Sequence, residues 1–182
     1  MRRFIITGAP GAGKTALIRQ LALQGFSVVE EAATDVIAAE HDRGINQPWT
    51  DPSFIDAVAK LQRERLIRAS HQPDDIQFHD RCVLCTAALA IYLDYPFSTF
   101  LTTELERIME EPVFERRVFF IRNLGFVTPT RARQISFEET IRFEAIHEDI
   151  YRRFGFELVS IAPGTVEGRV SRIKAAIDYV QP

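Results

Sequence analysis

No apolar run in this 182-residue chain approaches the roughly 20 residues needed to cross a bilayer. Membrane insertion is therefore not expected. The opening stretch from Met1 to Pro10 has a basic start, but its apolar run is too brief for the core of a secretion signal. Cysteine is scarce, with only Cys82 and Cys85 present, which excludes a disulfide scaffold and fits a reducing, cytoplasmic compartment. Their Cys-x-x-Cys spacing lacks the second pair or neighbouring histidines that zinc needs, since His41, His71, His79 and His147 are scattered. Two buried or half-buried thiols are the expectation. Positive charge is not in excess either: 22 Lys and Arg stand against 25 Asp and Glu, a net charge of -3, so nucleic acid is not an expected partner. Repeats, low-complexity tracts and Ser/Gly linkers are lacking, so residues 1–182 read as one domain.

What the sequence does have is a 46% hydrophobic content arranged as short apolar runs alternating with longer segments of helical period. That alternation specifies an α/β fold around a mainly parallel sheet. Strands are predicted at Arg3 to Thr7, Phe26 to Val29, Ile76 to His79, Val118 to Ile121 and Leu158 to Ile161. Helices are predicted at Lys14 to Leu23, Ala32 to Asp42, Pro52 to Ser70, Leu84 to Leu93, Thr99 to Glu110, Phe137 to Phe154 and Val166 to Tyr179. Gly25 and Gly155 stand where left-handed residues would end helices, and Asp51-Pro52 sets a cap before a proline at the first helical position. Ser136 followed by Glu139 is a capping-box pattern. The third strand is unusual for a parallel sheet, because Gln77 and His79 alternate with Ile76 and Phe78. Such a strand belongs beside a polar cleft.

Gly8-Ala9-Pro10-Gly11-Ala12-Gly13-Lys14-Thr15 matches G-x-x-x-x-G-K-[ST], directly after the first strand and directly before a helix. The glycines Gly8, Gly11 and Gly13 let the backbone turn its N–H groups around a phosphate, and the helix adds its positive N-terminal end. Lys14 is expected to reach the β- and γ-phosphates of a nucleotide. Thr15 is expected to complete an octahedral Mg²⁺ otherwise filled by phosphate oxygens and water. No Asn-Lys-x-Asp guanine motif occurs, which favours ATP over GTP.

In a sheet of this kind ligands lie beyond the carboxyl ends of the strands. Two acidic features fall there: Glu30-Glu31 after the second strand, and Asp80-Arg81 after the third. If both strands flank the first, Glu31 and Asp80 face the γ-phosphate, where a carboxylate can orient an attacking hydroxyl. The residues also permit plainer roles. Glu31 suits a helix N-terminus, and Asp80-Arg81 suits a structural ion pair. Trp49 reads either as a half-buried core residue or as a cover for an acceptor.

The motif Ile6 to Thr15, together with Val29-Glu30-Glu31-Ala32-Ala33, His79-Asp80-Arg81 and Arg131/Arg133 before Phe137-Glu138-Glu139, resembles the AAA-type P-loop proteins related to the nicotinamide riboside kinase domain of NadR. A more distant likeness is to deoxynucleoside and thymidylate kinases. The resemblance implies a three-layer α/β/α fold with strand order 2-3-1-4-5, Asp80 near magnesium, Arg81 near phosphate, and Glu31 as base or hydroxyl ligand. It implies a lid near residues 122–136 whose Arg131 and Arg133 close over the nucleotide, and it sets Pro163 and Gly164, after the fifth strand, beside adenine. Thr34 and Cys85 depart from the family pattern, which often has arginine and aspartate there. The implied activity is a Mg-dependent transfer of the γ-phosphoryl group of ATP to a nucleoside-like or other small acceptor. The alternative is a nucleotide-dependent regulatory module. Oligomeric state is left open.

Overall fold

The computed structural model describes residues 1–125 and 135–178. Five strands, β1 (Arg2–Thr7), β2 (Ser27–Val29), β3 (Ile76–Asp80), β4 (Arg117–Ile121) and β5 (Glu157–Ile161), pair in parallel in the order β2-β3-β1-β4-β5. The connecting helices are α1 (Lys14–Leu23), α2 (Ala32–Asp42), α3 (Ser53–Ala69), α4 (Val83–Tyr92), α5 (Thr99–Glu110), α6 (Phe137–Arg153) and α7 (Val166–Asp178), with a 3-10 turn at Pro48–Thr50. The strand order and the α/β class are those that the resemblance implied.

The period-two alternation of a strand sends neighbouring side chains to opposite faces. In β1, Phe4 and Ile6 join a core under α1 and α7, where Phe4, Phe78 and Phe119 meet with ring centroids 5.7–6.3 Å apart. Ile5 points to the other face and joins the core built by α3, α4, α5 and α6. Both faces are covered, as a parallel sheet requires.

Local signals behave as their chemistry dictates. Gly25 and Gly155 have φ of 86° and 73°, and each follows a helix end. Ser136 accepts from the Glu139 N–H at 3.1 Å while the Glu139 carboxylate accepts from the Ser136 N–H at 2.7 Å. Asp51 accepts the Ser53 N–H at 2.8 Å, and Pro52 is already helical.

Two differences from the sequence reading matter for the site. β3 continues one residue further than predicted, to Asp80, which pairs with Ile6 in register and is thereby fixed by the sheet. The alternation in β3 also has a cause: Gln77 and His79 form a buried polar layer beneath α3, with Gln77 donating to the Ala69 carbonyl and its Oε1 2.8 Å from His79 Nε2. A polar strand residue is tolerated at a sheet centre when its partners are buried with it.

Candidate nucleotide and acceptor site

β1 ends at Thr7, and the chain turns away at Gly8 with φ 138°. A Cβ there would lie 2.3 Å from the Ile121 carbonyl oxygen, so the loop leaves the sheet pressed against the end of β4. Only glycine fits that approach. Gly11 and Gly13 are left-handed, φ 84° each, and Gly13 caps α1. Ala9 and Ala12 are fully buried, so their contribution is backbone. Lys14 is also buried, and its ammonium donates to the Gly8 and Ala9 carbonyls at 3.0 Å each. Burial pushes its pKa down to about 8; Arg81 adds to that, while Asp80 and Glu31 oppose it. Lys14 is thus still a cation at neutral pH. Thr15 is exposed and faces the cleft.

Glu31 occupies the N-cap position of α2, yet its side chain makes no cap hydrogen bond. It turns instead to Arg81, whose Nε donates to Oε1 at 2.7 Å, and it accepts from Thr34 Oγ1 at 2.8 Å. Burial disfavours the carboxylate, but the charges of Arg81 and Lys14 outweigh burial and hold its pKa below the ordinary value. Arg65 of α3 donates to the Glu30 and Glu31 carbonyls at 2.8 and 2.7 Å and clamps the turn that carries Glu31.

Arg81 has a left-handed backbone, φ 72°, a conformation that costs a non-glycine residue on the order of 1 kcal/mol. Its N–H donates to the Ile6 carbonyl at 3.0 Å, which fixes the turn beside β1. The same guanidinium meets His147 Nε2 at 3.0 Å, and His147 Nδ1 lies 2.9 Å from the Phe143 carbonyl. Arginine only donates, so Nε2 accepts and Nδ1 carries the proton. His147 is therefore the neutral orienting partner of Arg81.

Asp80 is buried, and its Oδ1 has no hydrogen-bond partner among the described residues. Burial raises its pKa to about 6, with Lys14 and Arg81 pulling the other way. An orphaned carboxylate oxygen that shares a cleft with an exposed threonine fits a hard divalent cation that takes most of its oxygens from phosphate and water. Among the described residues no cluster of three His, Cys, Asp or Glu could hold a metal by itself. Asp80 and Thr15 could hold such a cation only together with oxygens of a bound ligand.

Lys14, Thr15, Glu31, Asp80 and Arg81 all line one cleft of about 640 Å³. Pro10, Gly11 and Gly13 share it, whereas Pro163 and Gly164 are exposed outside its walls. Arg131 and Arg133 lie outside the described residues. The remaining walls are largely apolar and aromatic, including Phe54, Leu89, Tyr92, Phe143 and the half-buried Trp49, with a Thr86-to-Gln62 hydrogen bond of 2.7 Å between them. Cys85 reaches the cleft at the position where the family pattern often has aspartate. Both thiols are buried, 3.4 and 3.1 Å from the Tyr151 hydroxyl, and Cys85 lies 3.1 Å from Thr7 Oγ1. They are packed thiols, as expected.

Arg65, Gln62, His147 and Tyr151 escaped the sequence reading. Each acts through a partner more than twenty residues away, and no local pattern marks it.

Comparison with known proteins agrees with this architecture. A family model described as an AAA domain matches residues 3–169. No curated protein sequence matches the chain. Among solved structures, deoxyadenosine kinase from M. mycoides with dCMP and dCDP bound superposes with TM-score 0.66 at 14% identity, covering 98% of this chain and 100% of that one. Thymidylate kinase from Ehrlichia chaffeensis gives 0.66 at 15% identity, covering 97% and 98%. The NadR protein in complex with NAD and AMP-PNP gives 0.67 at 18% identity, covering 98% of this chain and 49% of NadR. The fold is that of P-loop nucleoside and nucleotide kinases.

Proposed function

The chain belongs to the AAA-domain family, and from that premise we propose that it is an ATP-dependent kinase that phosphorylates a hydroxyl of an uncharged, ring-bearing small molecule of the nucleoside class. The observation that carries this reading is the convergence of Lys14, Thr15, Asp80, Arg81 and Glu31 on one cleft whose other walls are aromatic. Lys14 would exchange its two loop carbonyls for phosphate oxygens. Thr15 and Asp80 would hold magnesium, which supplies neutralisation of the charge on the β- and γ-phosphates. Arg81, oriented by Glu31 and His147, faces the cleft as a second cation. Glu31, held below the ordinary carboxylate pKa, suits positioning of the acceptor hydroxyl better than early removal of its proton. Phosphoryl transfer through a loose transition state asks for little more. Arg131 and Arg133 are assigned to the lid on the resemblance alone.

Charge favours a nucleoside over a nucleotide as acceptor. Among the described lining residues the cations are Lys14 and Arg81, and Arg81 is already matched by Glu31. An acceptor phosphate would add two negative charges beside walls that offer Gln62, Thr86 and aromatic rings. The second reading, a nucleotide-dependent regulatory module, draws on Thr34 and Cys85 replacing polar family residues at the acceptor side.

The test is ADP release from Mg-ATP with a panel of nucleosides, ribosides and sugars, each against its 5′-phosphate. Acceptor-stimulated release with the unphosphorylated member supports the kinase. Basal release with every compound favours the regulatory module, and stimulation confined to the phosphates would overturn the acceptor class.

A further inference from the structure

We propose that Arg169, in the first turn of α7, is a positioning residue of the nucleotide site: it aims the Gly13 N–H into the phosphate cradle and holds a positive charge behind the loop that bound polyphosphate neutralises. The inference rests on the nucleotide reading above.

Arg169 is 3% exposed. Its Nη2 donates to the Ala12 carbonyl at 2.8 Å, across 157 residues of sequence. A Cβ built on Gly13 would lie 3.0 Å from Nη1, so the guanidinium sits against the loop at Gly13 as well. The Ala12 carbonyl and the Gly13 N–H belong to one planar trans peptide, in which they point in opposite directions. Drawing the carbonyl toward α7 turns the N–H the other way, toward the cleft that Gly13 lines. Among the described residues nothing accepts that N–H.

The electrostatics carry the second half. Arg65, Arg81 and Arg122 each meet a carboxylate. Arg169 meets none among the described residues, and its Nε is buried without a partner. The sequence from residue 126 to residue 134 contains no Asp or Glu. Burial lowers its pKa, and among the described residues no charged neighbour contributes. A guanidinium kept from water without a counter-ion destabilises the free protein, and a polyanion one peptide away relieves that cost. Folding thus stores an unmatched charge that ligand binding then matches.

The experiment compares wild type, Arg169→Met and Arg169→Lys for binding of inorganic tripolyphosphate and for thermal unfolding without ligand. Arg169→Met is expected to bind about tenfold more weakly, the scale of one charge-assisted contact. Its free-protein Tm should be no lower than that of wild type, and Arg169→Lys, which keeps the charge, should fall between the two in affinity. Tripolyphosphate affinity within twofold of wild type in Arg169→Met overturns the inference. So does a matching loss in both variants together with lowered Tm, the signature of a mere strut. If Arg169→Met fails to fold, Arg169→Lys decides: partial affinity supports the charge role, and a loss as complete as in Lys14→Ala overturns it. Wild type that ignores tripolyphosphate would sink the nucleotide reading and this inference together, whereas the variant outcomes above touch this inference alone.

Discussion

At the scale of single residues, Gly8 of the phosphate loop answers to a strand remote in sequence. Its missing Cβ makes room for the Ile121 carbonyl rather than for a phosphate. Gly8→Ala should cost about 3 kcal/mol or more, since backbone must move on both sides. Thermal unfolding checks it, and a variant as stable as wild type would contradict the close approach. His79 and Asp80 make a second prediction. Burial, and then the charge of Arg3, push His79 from its ordinary 6.5 down to about 3. The unfolded chain takes up that proton near pH 6.5 and the folded chain does not, so this contribution is intact above 6.5 and drains as pH falls toward 3, by about 1.4 kcal/mol per pH unit. Asp80 runs oppositely: raised from 3.8 to about 6, it favours the folded state as pH falls, and that benefit is lost as pH rises through 6. Between pH 6 and 3.8 the two slopes offset each other. Without metal or nucleotide, Asp80→Asn should be more stable than wild type at pH 7 by on the order of 2 kcal/mol. It should then lose stability below pH 6 where wild type stays nearly level. Denaturant titrations at stepped pH read both, and a level profile in the variant would remove the pairing.

Elements were legible wherever a capping signal sat beside a periodic run. α1, α2 and α5 have the predicted limits, and the Ser136 capping box opens α6 as its four residues specify. Ser136→Ala should cost about 1 kcal/mol by unfolding. What α6 does could not be read: it carries His147 to Arg81 and Tyr151 to the two thiols, partners 66 to 69 residues distant. Glu31 shows the same limit. Its place at a helix start was visible, but whether the carboxylate capped α2 or reached Arg81 depended on a turn fixed by β1. Tyr151→Phe should lower stability by about 1–2 kcal/mol, because buried Cys82 and Cys85 lose a shared partner. An unchanged Tm would show that the thiols satisfy one another.

For the molecule as a whole, strand order was not legible in the apolar runs and came from the family resemblance, which the sheet bears out. Neither motif nor period could foretell the cleft's apolar wall, which α2, α3, α4 and α6 assemble jointly. Trp49, the only tryptophan, stands in that wall. Its fluorescence should change on titration with the acceptor, and an acceptor that stimulates turnover while leaving the emission untouched would move the pocket elsewhere. Lys14, finally, donates to the Gly8 and Ala9 carbonyls of its own loop. Its ammonium therefore staples the front of the turn to the start of α1, and removing it leaves both buried carbonyls short of a donor. A Lys14 variant with weakened affinity would thus carry a scaffold defect as well as a missing charge.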